Sequence, residues 1–182
     1  MTNHSTRFSA AFVATLALCG MAPARAADAC QDIERATGKI WEIPVHLYTS
    51  QTAAYRGNQI RNSESIYTGG ADGAIYVMVN GKWTRSHITT RDLKAGKDDP
   101  GKKAKQTCRY ERDEAVNGEP AAVYSTHAET EAGKTDMTVW ISKAKNVPLK
   151  SEADMDVGGG AGKSHTSTRY DYKNVQPPPG VK

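Results

Sequence analysis

The spacing of apolar residues divides the chain into a short helical segment and a long series of strands. Residues 28–41, DACQDIERATGKIW, begin with Asp28, a residue that caps helices well, and place Ile33 among helix formers before Gly38. From residue 42 onward apolar and polar residues alternate, which is the two-residue period of a strand. The pattern therefore predicts one N-terminal helix followed by β-structure.

About nine segments carry this alternation or a polar version of it. They are EIPVHLYTS, NQIRNSESIYTG, AIYVMV, KWTRSHI, TCRYERDEAV, PAAVYSTHAE, TDMTVWIS, VPLKSEADMDV and KSHTSTRYDYKNV. Asn80-Gly81 and Asn117-Gly118 predict hairpin turns, because both residue types tolerate positive φ. The segments form two meander-like sets of mostly antiparallel strands. Between them lie residues 89–106, in which the first part predicts a second short helix and the rest predicts a charged loop.

The first 26 residues are typical of a secretory signal peptide. They contain no Asp or Glu, carry Arg7 before the apolar run FSAAFVATLALCGMA, and end in the small-x-small pattern Ala24-Arg25-Ala26. We expect cleavage near Ala26, a bacterial periplasmic or secreted location, a single domain over 27–176 and a flexible tail over 177–182. A retained N-terminal anchor is the alternative. No later stretch is apolar enough to predict a membrane span.

Loss of the signal peptide changes the charge and the cysteine content. Removing Arg7 and Arg25 lowers the formal net charge of the chain from +4 to +2, which gives no strong attraction to nucleic acid. Cys19 leaves as well, so Cys30 and Cys108 remain and predict one disulfide in an oxidising compartment. Two free thiols in a redox role are the alternative, but no C-x-x-C motif supports them.

No motif in the chain indicates catalysis or a cofactor. The zinc-binding pattern H-E-x-x-H and the nucleophile pattern G-x-S-x-G are both absent, so we expect no enzyme, no metal and no cofactor. The histidines His46, His87, His127 and His165 are interpreted as scattered surface residues, although strands could bring them together. Glu111, Asp113 and Glu114, beside Arg109 and Arg112, are interpreted as solvated cross-strand partners.

The glycine-rich segment DVGGGAGKS resembles a phosphate-binding loop but lacks its context. Val157 occupies a position where that motif requires glycine, and the residues after Ser164 alternate like a strand instead of opening a helix. We therefore predict no nucleotide site and interpret the glycines as a hairpin loop before the last strand.

Two groups of residues could mediate binding. The lysines of the central loop could contact anionic lipid headgroups or an acidic partner, or simply be solvated; they are Lys94, Lys97, Lys102, Lys103 and Lys105. An aromatic and thioether set could line an apolar pocket or form ordinary core; it comprises Tyr76, Met78, Trp83, Tyr124, Trp140, Tyr170 and Tyr172.

Several phrases resemble the LolA/LolB-like superfamily of outer-membrane lipoprotein carriers. They are AIYVMVNGKWTRS, EAVNGEPAAVYSTHAE, TVWISKAKNVPLKSEADM and the closing TRYDYKNVQPP. The resemblance implies an α+β fold dominated by a curved antiparallel meander sheet, an incomplete β-barrel with a short N-terminal helix.

The same resemblance implies a non-enzymatic periplasmic binding or carrier-like protein with an apolar or lipid ligand. In this chain, however, segments such as RNSES and KSHTST are polar on both faces, whereas the carriers bind acyl chains on an apolar face. A cell-envelope protein-interaction module without a small ligand is therefore the alternative.

Overall fold

The computed structural model describes residues 26–53, 59–70, 73–97, 105–130, 133–157 and 162–181. The predicted signal peptide up to residue 25, Lys102 and Lys103 of the charged loop, and residues 158–161 of the glycine-rich segment lie outside this description.

The described chain contains two helices, a short 3-10 turn and nine strands. They are α1 (Ala26–Gly38), the 3-10 turn Lys39–Trp41, β1 (Val45–Ala53), β2 (Gln59–Tyr67), β3 (Ala74–Val79), β4 (Lys82–Thr89), α2 (Thr90–Lys97), β5 (Lys105–Val116), β6 (Glu119–Thr130), β7 (Gly133–Ser142), β8 (Pro148–Val157) and β9 (Gly162–Asp171). Among the residues described, no helix combines the length and apolar character needed to cross a membrane.

All nine strands form one antiparallel sheet with the order β4-β3-β2-β1-β9-β8-β7-β6-β5. Each predicted meander is continuous in space, and the pairing of β1 with β9 joins the two. The sheet is open because β4 and β5 stand at opposite edges. The predicted α+β class, the incomplete barrel and both helices are therefore confirmed.

Asparagine and glycine set the two predicted hairpins. Asn80 and Gly81 have φ values of 50° and 76°, and Asn117 and Gly118 have φ values of 50° and 81°. Positive φ at both central residues gives a turn whose twist matches that of the flanking strands. These turns fix the β3–β4 and β5–β6 registers at the positions that the sequence indicates.

Helix α1 covers one face of the second meander, and this face is called the helix face. Ala29, Ile33 and Ala36 recur at helical spacing and pack in one buried cluster with Val139 and Ile141. Cys30 of α1 and Cys108 of β5 are joined by a disulfide, the pair that the cysteine count predicts. The opposite side of the sheet is called the open face.

The open face has a smaller apolar cluster of its own. Trp140 packs there with Ala121 and Val123, and Val116 and Leu149 border them. Val139, Trp140, Ile141 and Ser142 are consequently all buried. Buried and exposed residues do not alternate at this end of β7 in the way that the sequence predicted, because the strand is covered on both faces.

Candidate binding surfaces

The predicted aromatic and thioether set does not converge on one pocket. The register places Tyr124 and Tyr170 on the helix face, whereas Tyr76, Met78, Trp83 and Trp140 lie on the open face. Tyr172 follows the end of β9, and its hydroxyl donates to the Pro148 carbonyl oxygen at 2.8 Å. The set therefore belongs to separate environments.

On the helix face, Tyr124 joins the sheet to α1. Its hydroxyl donates to Asp32 Oδ2 at 3.2 Å, and its ring meets Tyr110 edge-on at 5.7 Å between centroids. Burial, reinforced by the Asp32 carboxylate, raises the pKa of Tyr124 to about 12. Tyr124 therefore acts as a hydrogen-bonding part of the core.

Tyr170 lies close enough to Tyr67 and to Tyr172 to interact with both. Burial is the main cause that raises the pKa of all three phenols, and Tyr170 adds to the effect on the other two. Tyr170 shares a hydrogen bond of 3.2 Å with Ser151, and Tyr67 stacks on Trp41 at 5.5 Å. Tyr170 and Tyr172 are only partly buried and both line a small cavity of about 200 Å³, bordered also by Leu149.

On the open face of the first meander, Trp83 borders a cavity of about 390 Å³. Its ring meets His46 edge-on at 5.8 Å, and His46 stacks on Tyr48 at 4.1 Å. The C-terminal prolines Pro177, Pro178 and Pro179 form the opposite wall, and Pro178 is buried. Met78 pairs with Trp83 across the β3–β4 ladder but does not line this cavity.

Trp140 lies apart from the other open-face aromatics, on the second meander. Its indole packs in the small apolar cluster, and the Lys150 ammonium lies 4.6 Å from the ring centroid. Burial and the attraction between a cation and the ring face both stabilise this position of Trp140.

A large groove crosses the open face of the second meander. It has a volume of about 670 Å³ and is lined by Thr107, Cys108, Arg109, Glu111, Ser125, Thr126, His127, Asp136, Met137, Thr138, Glu152 and Asp154. A neighbouring groove of about 510 Å³ shares Asp136 and Asp154 and extends to Lys134, Asp156, Lys163 and His165. The two grooves are continuous, and the side chains that they present are mainly polar or charged.

A row of four side chains runs along these grooves and is called the histidine–aspartate row. Asp136 of β7 lies opposite His127 of β6 on one side and Asp154 of β8 on the other, and Asp154 lies opposite His165 of β9. His127 Nδ1 lies 2.7 Å from Asp136 Oδ1, and His165 Nδ1 lies 2.8 Å from Asp154 Oδ1. The row thus places two adjacent carboxylates between two imidazoles.

The row is not evident from single residues of the sequence, because its four members come from four strands. The signal was present in the sequence separations: His127 and Asp136 are nine positions apart, Asp154 and His165 are eleven apart, and each pair meets between consecutive strands. His46 also has partners, Glu64 at 3.0 Å and Tyr48 at 3.1 Å. Within the described ranges, no group of three or more His, Cys, Asp or Glu side chains could hold a metal ion.

The carboxylates of β5 form ion pairs, although not with the geometry expected from the sequence. Glu111 and Glu114 pair along their own strand with Arg109 and Arg112, at 2.8 and 2.7 Å, and Asp113 pairs with Lys143 at 2.6 Å. A hydrogen bond from Ser125 is the main cause that lowers the pKa of Glu111. A hydrogen bond from Arg112 does the same for Glu114, and one from Lys143 does the same for Asp113. These carboxylates are therefore held ionised.

Only some lysines of the central group lie within the described residues. Lys94 is exposed on α2 and Lys105 is exposed at the start of β5, at opposite edges of the sheet. Lys97 belongs to the described backbone of α2, whereas Lys102 and Lys103 do not belong to the described residues.

The chain resembles known proteins in its fold and not in its sequence. No protein-family model matches the chain, and no curated protein matches its sequence. The structure of the Pseudomonas aeruginosa MucA/MucB complex overlays with a TM-score of 0.52 at 10% identity, covering 82% of this chain and 59% of that chain. The present chain thus spans about three fifths of that relative.

The chain is therefore similar in fold to a protein of the MucA/MucB complex. A LolA superfamily protein from Nitrosomonas europaea overlays with a TM-score of 0.31 at 11% identity, covering 79% of this chain and 91% of that chain. The hypothetical lipoprotein YmcC from Escherichia coli overlays with a TM-score of 0.36 at 12% identity, covering 72% of this chain and 88% of that chain. The likeness concerns the fold alone.

Proposed function

We propose that this chain is a periplasmic protein-interaction module that binds the polar surface of another cell-envelope protein through the groove on its open face. The observation that carries the proposal is the chemistry of this groove, which presents charged and hydrogen-bonding side chains along most of its length. Such a surface suits protein contact better than enclosure of an acyl chain.

The position of the aromatic residues supports the same proposal. The side chains expected to line one apolar pocket are divided between both faces, and Tyr124, Tyr170 and Tyr172 are committed to internal hydrogen bonds. The chain is also similar in fold to a protein of the MucA/MucB complex, which is a structure of two proteins bound together. Neither observation indicates a reaction, and we propose a non-enzymatic role.

The proposal can be tested by crosslinking and capture from envelope extracts. Asp136→Lys and Asp154→Lys, separately and together, should abolish capture of a defined partner band, because they reverse the charge at the centre of the groove. Glu34→Lys, on the exposed side of α1, is the matched control and should leave capture unchanged. If all variants capture the same proteins as the natural chain, the groove is not the binding surface.

A carrier of an apolar or lipid ligand is the second candidate, and one cavity favours it. Trp83, His46, Tyr48 and the buried Ile66 surround about 390 Å³ beside the C-terminal prolines. A bound apolar ligand would stabilise the folded state and raise its melting temperature. Lipid extraction of the purified protein, and thermal melts with a panel of fatty acids and phospholipids, decide between the candidates: the interaction module should yield no lipid and no shift.

A further inference from the structure

The outer edge of β2 loses its neighbouring strand halfway along. β2 pairs with β1 from Gln59 to Tyr67, but it pairs with β3 only through Ser65, Ile66 and Tyr67. In the part of the chain that the structure describes, residues 60–64 therefore have no ladder partner on their outer side, although β3 itself continues to Val79. This stretch is a short free sheet edge, and it is called the β2 edge.

The backbone of the β2 edge is oriented to accept a strand. The Thr68 N–H donates to the Ala74 carbonyl oxygen, which lies on the β3 side. Because successive peptide groups alternate in direction along a strand, the N–H groups of Ile60, Asn62 and Glu64 point to the same side. An extended peptide could satisfy these donors without disturbing the β1–β2 ladder.

The side chains around the β2 edge combine apolar and cationic character. Ile60 and Val79 are 68% and 50% exposed, Ile60 on the open face and Val79 on the helix face. Arg61 and Lys82 are also exposed, and the register places both on the helix face.

These two cations have no ion-pair partner among the described residues. The basic side chains of the second meander are, by contrast, largely paired; the pairs include Arg109–Glu111, Arg112–Glu114, Lys134–Glu129, Lys143–Asp113, Lys145–Glu119, Lys150–Glu152 and Lys163–Asp156. Unpaired positive charge is therefore available to an acidic partner at the β2 edge.

The β5 edge is less suited to strand addition. It carries charged side chains along its length, and its ladder with β6 is interrupted by a bulge between Tyr110 and Arg112. Charges and bulges are the devices by which proteins block unwanted pairing at sheet edges. The β1–β2 register, in contrast, continues without interruption beside Ile60 and Asn62.

We propose that the β2 edge binds an extended acidic segment of a partner protein as an added antiparallel strand. Acidic side chains of this segment lie on the helix face and meet Arg61 and Lys82, and its apolar side chains lie on the open face beside Ile60. Main-chain hydrogen bonds supply affinity, and the alternation of side chains supplies specificity. The inference shares with the proposed function only the assumption that the partner is a protein, because the surface is different.

A synthetic peptide tests this inference on the disulfide-bonded chain. The probe is a fluorescent peptide of about ten residues with alternating Glu and Val, and binding is measured by anisotropy up to about 1 mM. We expect saturable binding that weakens at high salt. A Lys–Val peptide should bind at least roughly tenfold more weakly, because it places like charges opposite Arg61 and Lys82.

Variants and a modified probe locate the site. Arg61→Gln should weaken binding at least roughly threefold, whereas Arg112→Gln, on an exposed arginine at the far edge of the sheet, should not change it. Asn62→Pro should abolish binding by removing an outward N–H, and its melting temperature reports whether the chain still folds. N-methylation of alternate residues of the peptide should abolish binding without any change to the protein.

Three results would overturn the inference: no binding of the Glu–Val peptide, equal binding of its N-methylated form, or equal losses for Arg61→Gln and Arg112→Gln. These failures are separate from failure of the proposed function. Capture of an envelope protein that depends on Asp136 and Asp154 would persist if only the β2 edge were wrongly assigned.

Discussion

Glu119 links the start of β6 to the turn between β7 and β8 through two hydrogen bonds. The Ser142 hydroxyl donates to its carboxylate at 2.6 Å, and the Lys145 ammonium donates at 2.9 Å. Ser142 is only 1% exposed, and its Oγ also accepts the Lys145 backbone N–H. These bonds, with Ser142 first, lower the pKa of Glu119 below its ordinary value.

Glu119→Gln should therefore destabilise the protein in a pH-dependent way. A lowered folded-state pKa contributes stability above the unfolded pKa of about 4.3, and this contribution is lost as pH falls through the folded value. We expect a loss of about 1 kcal/mol in the free energy of unfolding at pH 7, from a charged hydrogen bond that is partly solvated. The difference from the natural chain should shrink below about pH 4.

Urea unfolding at several pH values measures this effect. Glu129→Gln is the matched control, because its pair with Lys134 is exposed on both sides and should contribute close to nothing. Parallel stability curves for Glu119→Gln and the natural chain from pH 7 to pH 3 would contradict the assignment.

At the scale of elements, glycines allow the strands to approach and turn. Gly133 was expected at a turn and begins β7 with φ at 147°, where an added Cβ would overlap the Asp156 carbonyl oxygen of β8. Gly81 has φ at 76° in the β3–β4 turn, but nothing lies within 4 Å of the position of its Cβ. One glycine is thus required by backbone contact and conformation, the other by conformation alone.

Gly133→Ala should consequently cost more stability than Gly81→Ala. For Gly81→Ala we expect a loss of about 1 kcal/mol, the cost of positive φ for a residue with a side chain. For Gly133→Ala we expect about 2–3 kcal/mol, because the β7–β8 backbone must also shift. Thermal and urea unfolding of both variants provide the measurement, and equal losses would show that the close contact is unimportant.

The choice of turn residues explains why the elements were predictable. Nine strand segments, the hairpins at Asn80-Gly81 and Asn117-Gly118, and α1 follow from local periodicity and turn chemistry. The histidine–aspartate row did not follow, because its members meet only after strands β6 to β9 align. The division of Tyr124 and Trp140 between two faces depends likewise on the register of the whole sheet.

At the scale of the whole molecule, two long-range connections hold the structure together. The β1–β9 ladder joins the meanders, and the Cys30–Cys108 disulfide holds α1 against β5 across 78 positions of sequence. The polymer model of a crosslink assigns roughly 4–5 kcal/mol to a loop of this length, with smaller values common in practice.

Replacing both Cys30 and Cys108 with alanine should lower the free energy of unfolding by about 2–4 kcal/mol. Calorimetry or urea unfolding measures the loss, and a reducing agent should destabilise the natural chain but leave the double variant unchanged. Two reactive thiols in the unfolded, unreduced natural protein would show that the disulfide is absent.

The sequence by itself determined the elements, the hairpin turns and the expected cysteine pairing, because these depend on residues close together in the chain or on a simple count. Tertiary structure decided which side chains share a surface. The pairing of β9 with β1, the continuous polar groove around Asp136 and Asp154, and the free edge at residues 60–64 arise only when distant strands take one register. A shift of one residue would move every side chain of a strand to the other face, so the register fixes where this protein can bind.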